Sequence, residues 1–228
     1  MQQAASLPAV ILESADLGPR ALKDADARDR LRALLDSRPP HMAALINYVA
    51  KLREQRPEWK VPDFDPACGG VEARALFLLE KPGPMTDPES GSGFISIHND
   101  DRTAAAVHGF LLDRKIPIRW CLFANVIPWW DRTRKISPEQ RQLSTDAIKD
   151  LLKLLPKLVA IVLLGGTAQR AWKRSGLRTP AGVKLYESAH PSPLVHARYP
   201  ELWEAIPTYW PDRQSLEAPR DEASGAAK

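Results

Sequence analysis

The sequence predicts an α/β fold, a three-layer α/β/α arrangement around a central, mostly parallel four-stranded sheet. Three observations carry this expectation. Four short apolar runs, at 75–79, 120–124, 158–164 and 183–188, have the length and continuity of buried strands. Helix-period patterns separate them, and strands alternating with helices build a parallel sheet flanked on both faces. Turn residues end the runs: Pro82-Gly83-Pro84 follows the first, Gly165-Gly166 the third and Pro191 the fourth.

Taken in order, residues 1 to about 38 mix short apolar groups with charge and read as a partly ordered arm. Pro39-Pro40 then opens an amphipathic helix with Met42, Leu45, Ile46, Val49 and Leu52 on one face, bounded by Pro57. With a loop at 61–70, these form an N-terminal arm and helical extension, 1–70, that packs on the core, the amphipathic helix itself carrying no chemistry. The main domain spans 71–212. Its first strand leads to a helix at 103–115, with Asp100 or Asp101 near its start. After the second strand, Ser137-Pro138-Glu139-Gln140 is a capping-box start for a helix reaching about Leu155. The third strand turns into a helix at 168–174, and the fourth precedes a last helix at 199–206. Residues 213–228 read as a small, polar, disordered tail.

Hydrophobic residues are 44% and charged residues 26% of the 228-residue chain, which excludes a low-complexity or disulfide-scaffold class. The longest apolar run is far too short to cross a membrane, and no signal peptide is legible. Cys68 and Cys121 stand outside any CxxC pair, so free thiols, a cytoplasmic location and a monomer are the expectation, with no metal or cofactor implied. The net charge of +4 is unevenly spread: between residues 102 and 198, 17 Lys and Arg stand against 6 Asp and Glu. That excess suits a polyanionic partner.

Ligands of parallel sheets bind beyond the carboxyl ends of the strands. The segments to read are therefore those after Leu79, Ala124, Leu164 and Ala189. The last continues His190-Pro191-Ser192-Pro193-Leu194. Each proline fixes its own φ and biases its predecessor towards extended backbone, giving a stiff wedge. Its imidazole can stabilise developing negative charge, and its leucine can enter a base stack and help extrude a nucleotide. His196 and Arg198 follow as possible phosphate contacts. After the first strand, Glu80 offers a carboxylate. After the second comes Asn125, then Trp129-Trp130-Asp131-Arg132-Thr133-Arg134, where aromatics interleave with bases in a way that suits nucleic acid. After the third, Gly166 and Thr167 can present backbone N–H groups to a phosphate.

In this order the segments resemble the motifs of the uracil-DNA glycosylase superfamily, over roughly residues 75–198 and as in cluster-lacking bacterial members. Glu80-Lys81-Pro82-Gly83 resembles its first motif, written GQDPY in one branch and GEAPG in the iron–sulfur branch. Glu80 matches the glutamate of the second form. Lys81 falls where the first has its water-orienting aspartate, and Gly83 where it has a tyrosine, leaving the C5 edge of a pyrimidine open. Lys81, Pro82 and Gly83 thus belong to the substrate pocket. The resemblance makes Phe94 the ring that stacks on the flipped base and Asn125 the reader of the pyrimidine edge. Asn99 or Asp100 would position water or sugar, while Asp101 also reads as a helix cap. His190 stabilises the departing base and Leu194 is the wedge. Ser192, Pro193, His196, Arg198, Trp129, Arg132, Arg134, Gly166 and Thr167 contact DNA.

The function implied is a monofunctional DNA glycosylase that flips a pyrimidine nucleotide and hydrolyses its N-glycosidic bond. The base is uracil, in repair, or a 5-modified pyrimidine such as the hydroxymethylated or glucosylated cytosine of phage DNA, in defence. A catalytically inactive DNA-binding module and another α/β enzyme acting on nucleotides or small phosphates are the rival expectations.

Overall fold

A computed structural model describes residues 17–217 of the chain. Along it come α1 (Ala25–Asp36), α2 (Pro40–Gln55), β1 (Asp63–Phe64), β2 (Ala75–Leu79) and β3 (Phe94–Ile95). Then follow α3 (Arg102–Asp113), β4 (Cys121–Asn125), α4 (Pro138–Lys153), β5 (Ala160–Leu164) and α5 (Gly166–Ser175). The chain continues through β6 (Lys184–Ser188), α6 (Pro193–Arg198), α7 (Pro200–Ala205) and α8 (Arg213–Glu217).

Strands β2, β4 and β5 read ALFLL, CLFAN and AIVLL and are buried almost throughout, as central strands covered on both faces must be. With β6 they form one parallel sheet in the order β4-β2-β5-β6. The chain steps one way from β2 to β4 and the other way from β5 to β6. The order therefore reverses between β2 and β5, and a crevice opens at their carboxyl ends. Right-handed crossovers place α3 on one face and α4 and α5 on the other. On the α3 face, Phe77 stacks on Phe123 at 5.2 Å and meets Trp210 at 5.1 Å, and Trp210 packs edge-on against Phe110. Strand β6 departs from the expectation of a buried run. Lys184, Leu185 and Glu187 are exposed, because it is the sheet edge, where charge discourages pairing with another chain.

The N-terminal region is more ordered than its composition suggests. Asp24 caps α1 by accepting the Asp26 N–H at 3.1 Å, and Ala27, Leu31 and Leu35, four residues apart, bury one stripe. Helix α2 starts at Pro40 as expected, and the Tyr48 hydroxyl on its buried face donates to the Ala147 carbonyl of α4 at 3.0 Å. The expected loop at 61–70 contains β1, which pairs in parallel with β3, so this region is stitched into the same core as the sheet. The capping box is present, with Ser137 and Gln140 bonding each other's backbone at the start of α4. The expected helix at 199–206 is present as α7, and a further short helix, α6, precedes it and is separated from it at Tyr199 by Pro200. The expected tail is helical over Arg213–Glu217, where Leu216 is fully buried. The rest of the expected arm, 1–16, and tail, 218–228, lies outside the described residues. No helix among the described residues is long and apolar enough to cross a membrane.

Candidate active site

Register sets the floor of the site. Leu79 of β2 lies beside Asn125 of β4, and the pairing continues past the strands. The Val126 N–H donates to Leu79 O at 2.8 Å and the Ile127 N–H to Glu80 O at 3.0 Å. Glu80 and Asn125 thus leave the sheet as neighbours. On the other side of β2, Gly165 follows β5 and donates its N–H to the Ser188 carbonyl at the end of β6, 2.9 Å away. Gln169 Nε2 reaches the same carbonyl at 3.0 Å, and Trp210 Nε1 donates to the Ser188 hydroxyl at 3.1 Å. The base of the His190 turn is therefore pinned from three elements.

Gly165 is the residue that lets this turn close on the sheet. Its φ of 88° and ψ of 162° fall in a region that glycine occupies almost alone. A Cβ there would stand 2.7 Å from His190 Cβ. Gly165→Ala is expected to cost about 1–3 kcal/mol in backbone strain and to push His190 off the end of β5. A lowered unfolding midpoint with activity lost even well below that midpoint is the outcome to look for. Sequence reading took Gly165 as part of a turn or of a phosphate-binding helix start and did not see this contact, which is to a residue 25 positions on.

His190 brings the other groups into one electrostatic space. Burial holds its pKa below the ordinary 6.5, Glu80 and then Asp101 pull it up, and Arg134 pushes it down again. Burial prevails, so the imidazole is neutral at pH 7. Asp101 fulfils its expected role as a cap, its Oδ1 accepting the Ala104 N–H at 2.8 Å, and it adds a charge to the site. Asp100, expected as a catalytic candidate, instead sits 3.9 Å from Arg20 in a loose pair. The chain turns tightly at Asp100, the Asp101 N–H donating to the Asn99 carbonyl at 2.8 Å, so Asp101 caps α3 while Asp100 faces Arg20.

Three other expectations are corrected by burial. Lys81 does not face a substrate: its side chain is 3% exposed, and Nζ donates to Asp131 Oδ1 at 2.6 Å, Lys135 O at 2.8 Å and Gln140 Oε1 at 3.1 Å. All three of its donors are used in joining the segment after β2 to the start of α4. Trp129 does not face DNA, since it is 1% exposed and packs edge-on against Trp59 at 5.7 Å. Trp130 is also buried, with its indole N–H on Asp87 Oδ2 at 2.9 Å. An aromatic pair next to basic residues is apolar first, and the core claimed it. Phe94 is not an open platform either: it is 1% exposed, with the Arg32 guanidinium 4.4 Å over its ring. Arg32 is itself held by Asp63 at 2.6 Å, and Asp63 also pairs with Arg53 at 3.0 Å.

The remaining candidates differ in exposure and in partners. Asn99 is buried, its Nδ2 donating to the Phe94 carbonyl at 2.9 Å and its Oδ1 lacking any partner. Pro82 is buried, and a Cβ on Gly83 would meet nothing within 4 Å. Arg132 is exposed and bonds Glu89 at 2.5 Å, while Arg134 is exposed at the mouth near His190. At the start of α5, Arg170 folds over Gly166 and bonds the Thr167 hydroxyl at 3.2 Å, a cation that sequence reading missed. Ser192 caps α6 by accepting the Val195 N–H, and Pro193 is its first residue. Leu194, on that first turn, is 69% exposed. His196 lies flat on Trp203 at 4.5 Å, and Arg198 is exposed. Compared with protein-family models and with curated proteins, the chain matches none.

Proposed function

We propose that the protein is a monofunctional DNA glycosylase, similar to uracil-DNA glycosylase superfamily enzymes, acting on an extruded pyrimidine nucleotide. The observation that carries this reading is the row of strand ends: Glu80 leaves β2 beside Asn125 of β4, His190 beyond β6 feels the Glu80 charge and packs on Gly165 after β5, and Leu194 is exposed four residues further on. In this mechanism the C1′–N bond breaks with its electron pair passing to the base. The neutral His190 imidazole donates a hydrogen bond to the carbonyl oxygen on which that charge gathers. The Glu80 carboxylate faces the cationic sugar, and a water attacks C1′, losing its proton to a carboxylate or to solvent. Asn125 reads the pyrimidine edge through its amide.

With Phe94 buried beneath Arg32, this reading assigns the hold on the base to Asn125 and not to stacking on that ring. Room beside Gly83 supports a pocket that admits a substituent at C5 and therefore a modified pyrimidine as well as uracil.

The test uses otherwise identical oligonucleotides carrying uracil, 5-hydroxymethylcytosine, glucosylated 5-hydroxymethylcytosine or cytosine, with alkali cleavage reporting abasic sites. Excision at uracil alone assigns repair, and excision at a modified cytosine alone assigns defence against modified phage DNA. Gly83→Tyr, which meets no neighbour at its Cβ, is expected to lose the C5-substituted substrates first. Binding without excision of any base would sink the enzyme reading in favour of an inactive DNA-binding module.

A further inference from the structure

Beside the wedge lies a groove of about 520 Å³, formed by Arg20, by Arg102, Ala105 and Ala106 of α3, by Pro193, His196 and Ala197 of α6, and by Trp203 of α7. None of the catalytic groups lines it. Its chemistry is nonetheless specific. Three alanines make a flat, apolar surface. His196 and Trp203 are stacked at 4.5 Å and 16°, and Trp203 is backed by Phe110 at 5.2 Å, so the aromatic wall is rigid. Arg20 and Arg102 supply two guanidinium groups, and among the described residues Arg20 is engaged only by the loose 3.9 Å pair with Asp100. A planar apolar ring with an anion attached matches this combination: flat contacts for the ring, guanidinium groups for the charge.

Position narrows the occupant further. Pro193 and His196 flank Leu194 in sequence, on the one short helix that carries the wedge. The volume is that of a small-molecule site, and its alanine and aromatic walls offer faces to one ring, which a base stacked and paired within a duplex cannot present. We propose that this groove holds an unpaired nucleotide next to the extruded one, its base against the alanine and His196–Trp203 surfaces and its phosphates on Arg20 and Arg102. The inference rests on the DNA glycosylase reading and adds a substrate class to it: the strand being read is single-stranded, or is opened, on the wedge side of the target. Residues 17–24, leading into α1, thereby become part of the DNA surface through Arg20.

The experiment measures anisotropy of a fluorescein-labelled 15-nucleotide DNA without any modified base, alone and as a blunt duplex, across a salt series. The wild type is expected to bind the single strand more tightly than the duplex. The Arg20→Ala/Arg102→Ala double variant is expected to lose about 10–30-fold in single-strand affinity near 0.1 M salt, and its salt slope to fall by about 1.4, the value for two phosphates on a single strand. Lys184→Ala, at the amino end of the sheet edge, is the control and should bind as the wild type does. Unchanged single-strand affinity in the double variant, as expected if the groove receives a peptide instead, overturns the proposal while leaving the glycosylase reading standing. A wild type that binds the duplex at least as well as the single strand also overturns it alone. A wild type that binds neither overturns both.

Discussion

Replacing His190 with alanine is expected to slow base release by about 100- to 10,000-fold while DNA affinity changes little. The asymmetry follows from what the imidazole does in the proposed reaction. It meets substantial charge only when the glycosidic bond is breaking, so its loss falls on the chemical step. Single-turnover excision with enzyme in excess, alongside anisotropy on the same oligonucleotide, separates the two. Equal loss in both would make His190 a binding residue and defeat the mechanism.

The pH profile adds a readout that a merely structural histidine would not give. Burial holds the His190 pKa below 6.5, with Glu80 and Asp101 opposing and Arg134 reinforcing that shift. The neutral form therefore persists through neutral pH, and on the acid side of the ordinary histidine range, where protonation sets a second cation beside the developing sugar cation, the rate should fall. Glu80→Gln removes the first of the two influences that raise this pKa, so the acid limb of its residual activity should move to still lower pH. Stability has a matching sign. Below pH 6.5 the unfolded chain takes up a proton that folded His190 resists, so the folded state loses stability as pH falls through that window, and none above it. His190→Ala should lack that increment of acid sensitivity.

What could be read without coordinates was what is local. β2, β4 and β5 stood out because strands buried on both faces are continuous apolar runs, and the capping box of α4 because Ser137 and Gln140 are three residues apart. The strand-end segments carrying Glu80, Asn125 and His190 were legible for the same reason. Most of the misreadings are long-range. Helix α1 was obscured by its charges, and β1 is a two-residue strand whose partner lies 31 residues away. Whether Asp100 or Asp101 acts on His190, whether Trp129 faces core or solvent, and whether Phe94 is open or capped by Arg32 depend on contacts between segments. Motif position cannot specify those.

Lys81 is the sharpest case, and Lys81→Met is expected to destabilise the protein by about 2–4 kcal/mol. Methionine keeps the length and apolar body of the side chain but none of its donors. Asp131, 20% exposed, would retain Gln140 Nε2 at 3.0 Å and the Thr133 N–H but lose its cation, and Lys135 O would lose its side-chain donor. For a domain of this size such a loss lowers the unfolding midpoint by about 5–15 °C. Its pH dependence identifies the cause. Burial pushes the Asp131 carboxyl up, but the Lys81 hydrogen bond, the Thr133 N–H and the Lys81 charge outweigh it and hold the pKa below 3.8. A carboxyl so depressed contributes stability that is complete above its unfolded pKa and is lost as pH falls through its folded one. The gap between wild type and Lys81→Met should therefore be constant from neutral pH down to about 4 and narrow below that. The same lysine has no free donor for a substrate and no open approach, so borohydride should trap no Lys81–DNA adduct during excision. A trapped adduct lost in Lys81→Met would show that Lys81 leaves its three partners to take part in the chemistry, and a variant as stable as the wild type would show that those contacts contribute nothing to stability.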